Sequence, residues 1–346
     1  MSDEFRELLK KVGSGTHTSK GLTRQEAYQA TIMLLQEIAT PAQIGAFMIA
    51  HRIKRPTPEE LAGMLDAYDE LAARLTIQNL KFPHPPVVFG NPYDGRSRTV
   101  PLTVITAIIL AAAGVPVILH GGDRIPTKYG IPLVKIWQAL GVDFTSFSLS
   151  ETQSFLAKTG IGFVYLPQHF PQAHNLITYR EQIGKRPPFA TAELIWSPVL
   201  EDVAIVSGFV HPPTAERFQK TFELRGVKNY TTVKGLEGSC DLSRNRTGII
   251  GICDEATGWR QFMFHPQDFG LQGHDVTFES EAQVIEQIQG AIAGNNQELM
   301  PSVILNGGFY LWHFGVCPSL QAGFDLAEKM LINGEIKDKL HQLVNV

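Results

Sequence analysis

At 346 residues with 44% hydrophobic side chains, the chain can bury a full core, and its length corresponds to about two domains. A formal net charge of −4 with both signs interspersed supplies no global field for nucleic acid or an anionic membrane, so any basic surface must be local. Three cysteines, Cys240, Cys253 and Cys317, make neither a paired framework nor a Cys-x-x-Cys ligand set, which argues against structural zinc and points to a reducing compartment, the cytoplasm.

The chain opens Met1-Ser2-Asp3-Glu4, acidic and polar, without the apolar core of a signal peptide. Residues 1–75 then read almost entirely as helices. Thr23-Arg24-Gln25-Glu26 and Thr57-Pro58-Glu59-Glu60 are capping boxes, and Thr40-Pro41-Ala42-Gln43 adds Pro where the helix amide is unpaired anyway. Ile32, Leu35 and Ile38 recur at helical spacing, as do Ile44, Phe47 and Met48, then Leu61, Leu65 and Tyr68. These segments predict a small helical domain.

A proline-rich stretch at residues 81–86 reads as a linker, and a second grammar follows it. Short apolar runs at 87–89, 115–119, 161–166, 203–210 and 229–233 read as strands, most of them separated by helical patterns. This alternation predicts an α/β domain over 86–346 with a mostly parallel central sheet. The longest apolar run, 104–117, contains Gly114 and Pro116 and is too short for a membrane span, so no membrane partner is expected. A His-, Pro- and Arg-rich stretch at 167–188 has weaker periodicity and reads as crossing back to the helical domain; 275–298 reads as containing a surface helix.

Residues 40–47, Thr-Pro-Ala-Gln-Ile-Gly-Ala-Phe, and 57–63 resemble the dimerisation domain of the anthranilate phosphoribosyltransferases. The strand ending in His120-Gly121, the segment Gly208 to Pro212, and the stretch from Asn306 through Met330 to Gly334 resemble later landmarks of the same family in the same order. The resemblance implies a helical bundle completed by a mid-chain segment near 170–195, packed on a large α/β domain, with phosphoribosyl diphosphate bound at the junction and a homodimer formed through the N-terminal helices.

Carried over by position, the family pattern assigns phosphoribosyl diphosphate to Gly90, Asp94, Gly95, Thr103, His120, Thr127 and Lys128. Pro92 and Tyr93 depart from the family's glycine-rich loop, and proline offers no amide to a phosphate. The loop therefore also reads as a plain strand-to-helix turn, and Thr103 as a simple cap. An ammonium with three donors makes Lys128 the best single phosphate contact, with a solvated loop lysine as the other reading. The pattern likewise places the acceptor at His169 and Arg180, a guanidinium suited to clamp a planar carboxylate; Glu193 stands where the family has glycine, and a salt bridge is the other reading of Arg180.

The family's acidic metal pair corresponds here to Cys240-Asp241, leaving Asp241 with Glu237 as candidate ligands for Mg²⁺; incidental acids of a surface loop are the competing reading. The implied reaction is transfer of a pentosyl group from phosphoribosyl diphosphate to an aromatic amine or related acceptor. Two other functions stay open at this stage. One is a catalytically divergent member that binds nucleic acid through the basic clusters Lys54-Arg55, Lys185-Arg186, Lys228 with Lys234, and Arg244 with Arg246. The other is a nucleoside phosphorylase-like enzyme that takes a smaller anion in the same architecture.

Overall fold

Four helices form the first layer: α1 (Asp3–Gly13), α2 (Arg24–Leu35), α3 (Pro41–Lys54) and α4 (Pro58–Leu71). The computed structural model describes residues 3–15 and 17–346, so the Met1-Ser2 start lies outside the described residues. Thr23, Thr40 and Thr57 each accept from the amide three residues on, while Glu26, Gln43 and Glu60 reach back to the cap amide. Each such cap contributes about 1 kcal/mol and fixes where the helix starts. Glu60 does more, because its fully buried carboxylate also accepts from the Leu22 amide at 2.8 Å and from Lys54 Nζ at 2.7 Å. Ile38 departs from the sequence reading: α2 ends at Leu35, Glu37 takes a positive φ of 53°, and Ile38 is left half exposed.

The second body is built on β1 (Val87–Gly90), α5 (Thr103–Ala112), β2 (Val117–Gly121), α6 (Leu133–Ala139), α7 (Leu149–Thr159) and β3 (Ile161–Tyr165). Four short helices follow, α8 (Leu166–His169), α9 (Pro171–Asn175), α10 (Ile177–Ile183) and α11 (Phe189–Ala192). They return to the helical layer, where Phe170, Tyr179, Phe189 and Trp196 share one core with Leu34, Phe47 and Tyr68. The chain then completes the sheet with β4 (Ala204–Phe209), α12 (Pro212–Leu224), β5 (Tyr230–Lys234), β6 (Gly248–Asp254) and β7 (Gly258–Phe264). It closes with α13 (Glu281–Ile292), α14 (Met300–His313), α15 (Leu320–Ile332) and α16 (Glu335–Val344).

The seven strands run in the order β3-β2-β1-β4-β5-β6-β7. The first five are parallel and buried along most of their length, as strands covered by helices on both faces must be. The last two form an antiparallel hairpin that the sequence reading did not contain. Gly248 and Gly251 interrupt the apolar run of β6, and β7 is largely exposed. Gly251 is there for packing, since a Cβ would lie 2.0 Å from the Trp259 ring. Strand order reverses between β1 and β4, so the carboxyl ends of these two strands flank a crevice, the usual ligand site of an open α/β sheet. Among the described residues, no helix is long and apolar enough to cross a membrane.

Candidate active site

A cleft of about 670 Å³ opens at this reversal point. Its walls are the loop after β1 (Pro92, Tyr93, Asp94), the 186–194 segment, the turn from β4 into α12, and the end of α3. Beneath it lies the polar network that the candidate phosphate and metal residues form.

The centre of that network is Arg96, a residue the sequence reading did not single out. It is 2% exposed, and Nη1 donates to Asp241 at 2.6 Å and to Ser239 at 3.0 Å while Nε donates to Glu237 at 3.2 Å. Asp241 also accepts from the Leu102 amide and the Thr103 hydroxyl, both at 2.9 Å. Glu237 takes Lys128 Nζ at 2.5 Å and the amides of Ser97, Arg98 and Thr99 at 3.1–3.2 Å. Burial alone would raise the Glu237 carboxyl, but Lys128, then Arg96 and the Ser97 amide, hold it well below the usual carboxylate range. Glu237 is thus ionised, and both acids are already saturated with donors.

These contacts decide whether a magnesium ion fits. A cation shared by Asp241 and Glu237 would have to displace a guanidinium that cannot be deprotonated, together with Lys128. Cys240 is of no help: its buried thiol lies 3.1 Å from the Gly90 carbonyl, and burial pushes its pKa up. The described residues hold no group of three or more His, Cys, Asp or Glu able to take a metal. With these donors in place, the residues present do not fit Mg²⁺ at the expected Asp241 and Glu237.

Of the other candidate phosphate residues Asp94 lines the cleft, and all but Thr127 are packed on or bonded to the protein itself. Gly90 is required because the Leu194 carbonyl covers it, where a Cβ would sit 2.0 Å away. Gly95, at φ +71°, packs on the Gly130–Ile131 backbone, where a Cβ would fall 2.5 Å from the Ile131 oxygen. Asp94 is buried and ion-paired with Arg186. Thr103 is no helix cap: it opens α5 with its hydroxyl on Asp241 and, at 3.2 Å, on Asn91. Lys128 also donates to the Gly95 carbonyl at 2.9 Å, and Thr127 beside it is exposed.

His120 sits behind the β1 loop, 1% exposed, with the Tyr93 hydroxyl 2.5 Å from Nδ1 and its ring edge-on to Trp196. Burial lowers its pKa to about 3, so the imidazole is neutral. The bulk that Tyr93 brings to the loop therefore fills the space in front of His120 with an aromatic ring.

The acceptor residues are likewise engaged. Arg180 and Glu193 form a buried pair at 2.9 Å and 3.4 Å, so the carboxylate that Arg180 was expected to clamp is supplied by the chain itself. Burial pushes the Glu193 carboxyl up against the pull of Arg180. His169 accepts from the Tyr165 amide through Nδ1 at 3.1 Å and donates through Nε2 to the Phe147 carbonyl at 2.9 Å. Both ring nitrogens of this expected acceptor residue are thereby engaged by backbone.

Several members of the predicted basic clusters are engaged within the protein, while Arg55 and Arg186 reach the cleft. Lys228 pairs with Glu255 at 2.6 Å, Arg246 donates to the Gly235 carbonyl, and Arg244 donates to the Leu271 carbonyl. The cleft carries four arginines, Arg52, Arg55, Arg186 and Arg217, against two carboxylates, Asp94 and Glu237, both already ion-paired. Arg52 and Arg217 had no sequence signal, because their proximity arises only when α3 and α12 meet across the junction.

Comparison with known proteins agrees with this architecture. Residues 6–72 match the helical bundle domain of the glycosyl transferase family, and residues 94–337 match its α/β domain. The chain belongs to this glycosyl transferase family. Among curated relatives, anthranilate phosphoribosyltransferases of Verminephrobacter eiseniae and Aromatoleum aromaticum are 25% and 26% identical, with 93% of this chain and 97% of theirs covered. Among solved structures, the anthranilate phosphoribosyltransferase of Thermus thermophilus superposes with a TM-score of 0.80 at 22% identity, covering 99% of both chains. That of Saccharomyces cerevisiae in complex with PRPP and Mg gives 0.80 at 16%, covering 99% of this chain and 97% of its own. At these identities the structural likeness is one of fold; the glycosyl transferase chemistry must be sought in this chain's own cleft.

Proposed function

We propose that the protein is a pentosyltransferase of the anthranilate phosphoribosyltransferase type, transferring a pentosyl group from phosphoribosyl diphosphate to an aromatic amine or related acceptor. The observation that carries this reading is the arginine-rich cleft of about 670 Å³ at the ends of β1 and β4, on a chain that belongs to the glycosyl transferase family along nearly its whole length. Its volume falls in the range of roughly 300–1,000 Å³ usual for small-molecule sites.

In such a transfer an amine nitrogen attacks the anomeric carbon while the bond to diphosphate breaks, through an oxocarbenium-like state. The protein's part is to hold both partners and to meet the charge on the departing diphosphate. No strong base is required for an aromatic amine; His120 is buried and capped by Tyr93, and the imidazole that lines the cleft is that of His211. Charge neutralisation falls to arginine side chains, since the acids at 237 and 241 are closed to a metal. With Arg180 held by Glu193, the acceptor is one that does not depend on a free Arg180 carboxylate clamp.

The direct test incubates the protein with phosphoribosyl diphosphate and a panel of aromatic amines and follows diphosphate release. Acceptor-dependent release is expected. No release with any amine, together with no calorimetric binding of phosphoribosyl diphosphate at millimolar concentration, would refute the reading. The same reading includes a homodimer through the N-terminal helices, supported by Ile38 and Ile53, which are 50% and 73% exposed. Sedimentation should give a dimer that Ile53→Asp weakens.

A further inference from the structure

Three of the cleft arginines carry charge that no group among the described residues answers. Arg52 and Arg55 come from the last turn and C-cap of α3, and Arg217 from the second turn of α12. Arg24, Arg74, Arg96, Arg180, Arg186 and Arg225 each have a carboxylate within 4.0 Å. Among the described residues, the guanidiniums of Arg52, Arg55 and Arg217 have neither an ion pair nor a hydrogen bond.

Arg52 and Arg55 are exposed at the rim of the cleft, while Arg217 is drawn partly out of water. Arg217 is only partly exposed, and burial, then the neighbouring charge of Arg55, both push its guanidinium below its ordinary value. Two like charges are therefore gathered at the mouth of one cleft, an arrangement that weakens the folded chain unless something anionic enters. Arg55 is also held at φ +65°, ψ 131°, a sparsely populated conformation for any residue with a Cβ, and such positions recur where a ligand is clamped.

The surroundings specify the kind of anion. Asp94 and Glu237 on the same cleft are neutralised from inside, so they do not offset the arginines. α12 begins with Pro212 and Pro213, which offer no amides, so side chains rather than a helix-end nest must make the bonds. Guanidiniums bind phosphate oxygens bidentately, and the closed acid pair leaves no metal to do so. A cleft of about 670 Å³ has the size usual for a small-molecule site.

We propose that Arg52, Arg55 and Arg217 form a metal-independent site for the phosphate or diphosphate group of a small molecule. The site deepens the pentosyl-transfer reading, on which the identity of the carrier rests: there, the group held is that of the phosphoribosyl donor.

Isothermal titration of the full chain with inorganic phosphate, inorganic diphosphate and phosphoribosyl diphosphate, each in EDTA and in Mg²⁺, tests it. Diphosphate should bind in EDTA with an affinity that Mg²⁺ does not raise. Arg55→Gln and Arg217→Gln should each weaken it by about tenfold or more, the range of a lost charge-assisted hydrogen bond, while the remote Arg124→Gln should not. The melting temperature of Arg217→Gln, read without ligand, should be unchanged or higher, because a repulsion is relieved.

Binding that requires Mg²⁺, or that ignores both substitutions, would overturn the site. So would a single-stranded oligonucleotide that binds more tightly than diphosphate and is lost with the same substitutions. Diphosphate binding of the expected kind without acceptor-dependent release would remove the transferase reading and keep the site. Acceptor-dependent release with unchanged diphosphate affinity in both variants would do the reverse.

Discussion

With Asp241 at 2.6 Å and Glu237 at 3.2 Å, the Arg96 guanidinium lies where a cation shared by these two acids would have to sit. Removing it as Arg96→Ala leaves the buried Asp241 carboxylate without its cation and Glu237 with Lys128 alone, and should cost about 3–5 kcal/mol of stability in chemical denaturation. It also opens an oxygen-lined cavity. Millimolar Mg²⁺ should then raise the melting temperature of the variant and leave that of the wild type unmoved, since only a ligand bound by the native state stabilises it. A Mg²⁺-induced shift of equal size in both proteins would show that Arg96 does not close the site. The Arg180–Glu193 pair invites the parallel experiment. Glu193→Ala leaves a buried guanidinium unpaired, so stability should fall by a similar amount, and anthranilate should recover part of it in a thermal-shift assay while having no effect on the wild type. The acids and Lys128 were legible in the sequence as candidates, but their saturation was not. Arg96 meets partners 141 and 145 residues away, and no local spacing encodes that pairing.

Helix starts were the most legible elements, because a capping box is a local contract among four residues and all three threonine caps form as read. The β6–β7 hairpin was not, since glycines break its apolar period and its outer strand is largely exposed. The box at the start of α4 carries a consequence for pH. Burial would raise the Glu60 carboxyl, yet His51 at 3.4 Å, the Leu22 amide and Lys54 outweigh it and bring the pKa down to about 2. A carboxyl depressed in the folded state contributes stability that is complete above its unfolded pKa near 4.5 and is lost as pH falls toward 2. Denaturation profiles of the wild type should therefore steepen between pH 4.5 and 2. Glu60→Gln should be less stable at pH 7 by on the order of 3 kcal/mol and flatter in that window. Parallel profiles for the two proteins would place the acid sensitivity elsewhere.

At the scale of the whole molecule, the fold was legible because many weak landmarks fall in one order along the chain, whereas the cleft's charge was hidden in a net balance of −4. Arginines from α3 and α12 become neighbours only if the two bodies are held at one angle, and a second arginine holds them. Arg225, at the end of α12, donates to Asp66 at 2.5 Å and Asp69 at 2.7 Å on α4, and Arg24 joins Asp66 to the Leu224 carbonyl. Arg225 is only 16% exposed, so this pair is screened less than a surface bridge. Arg225→Ala should cost about 1–3 kcal/mol, the range for charge-assisted hydrogen bonds lost without a replacement. It should also loosen the junction while leaving both cores intact, so calorimetry should show one sharp unfolding transition broadening or dividing into two. Because Arg55 and Arg217 sit on opposite sides of that junction, diphosphate affinity should fall in the same variant although Arg225 lines no part of the cleft. An unaltered transition with weakened binding would place the effect on local geometry around α12. Both unaltered would mean that the shared core of Tyr68, Phe170 and Trp196 sets the angle by itself, since packed aromatic surfaces resist rotation without help from charge.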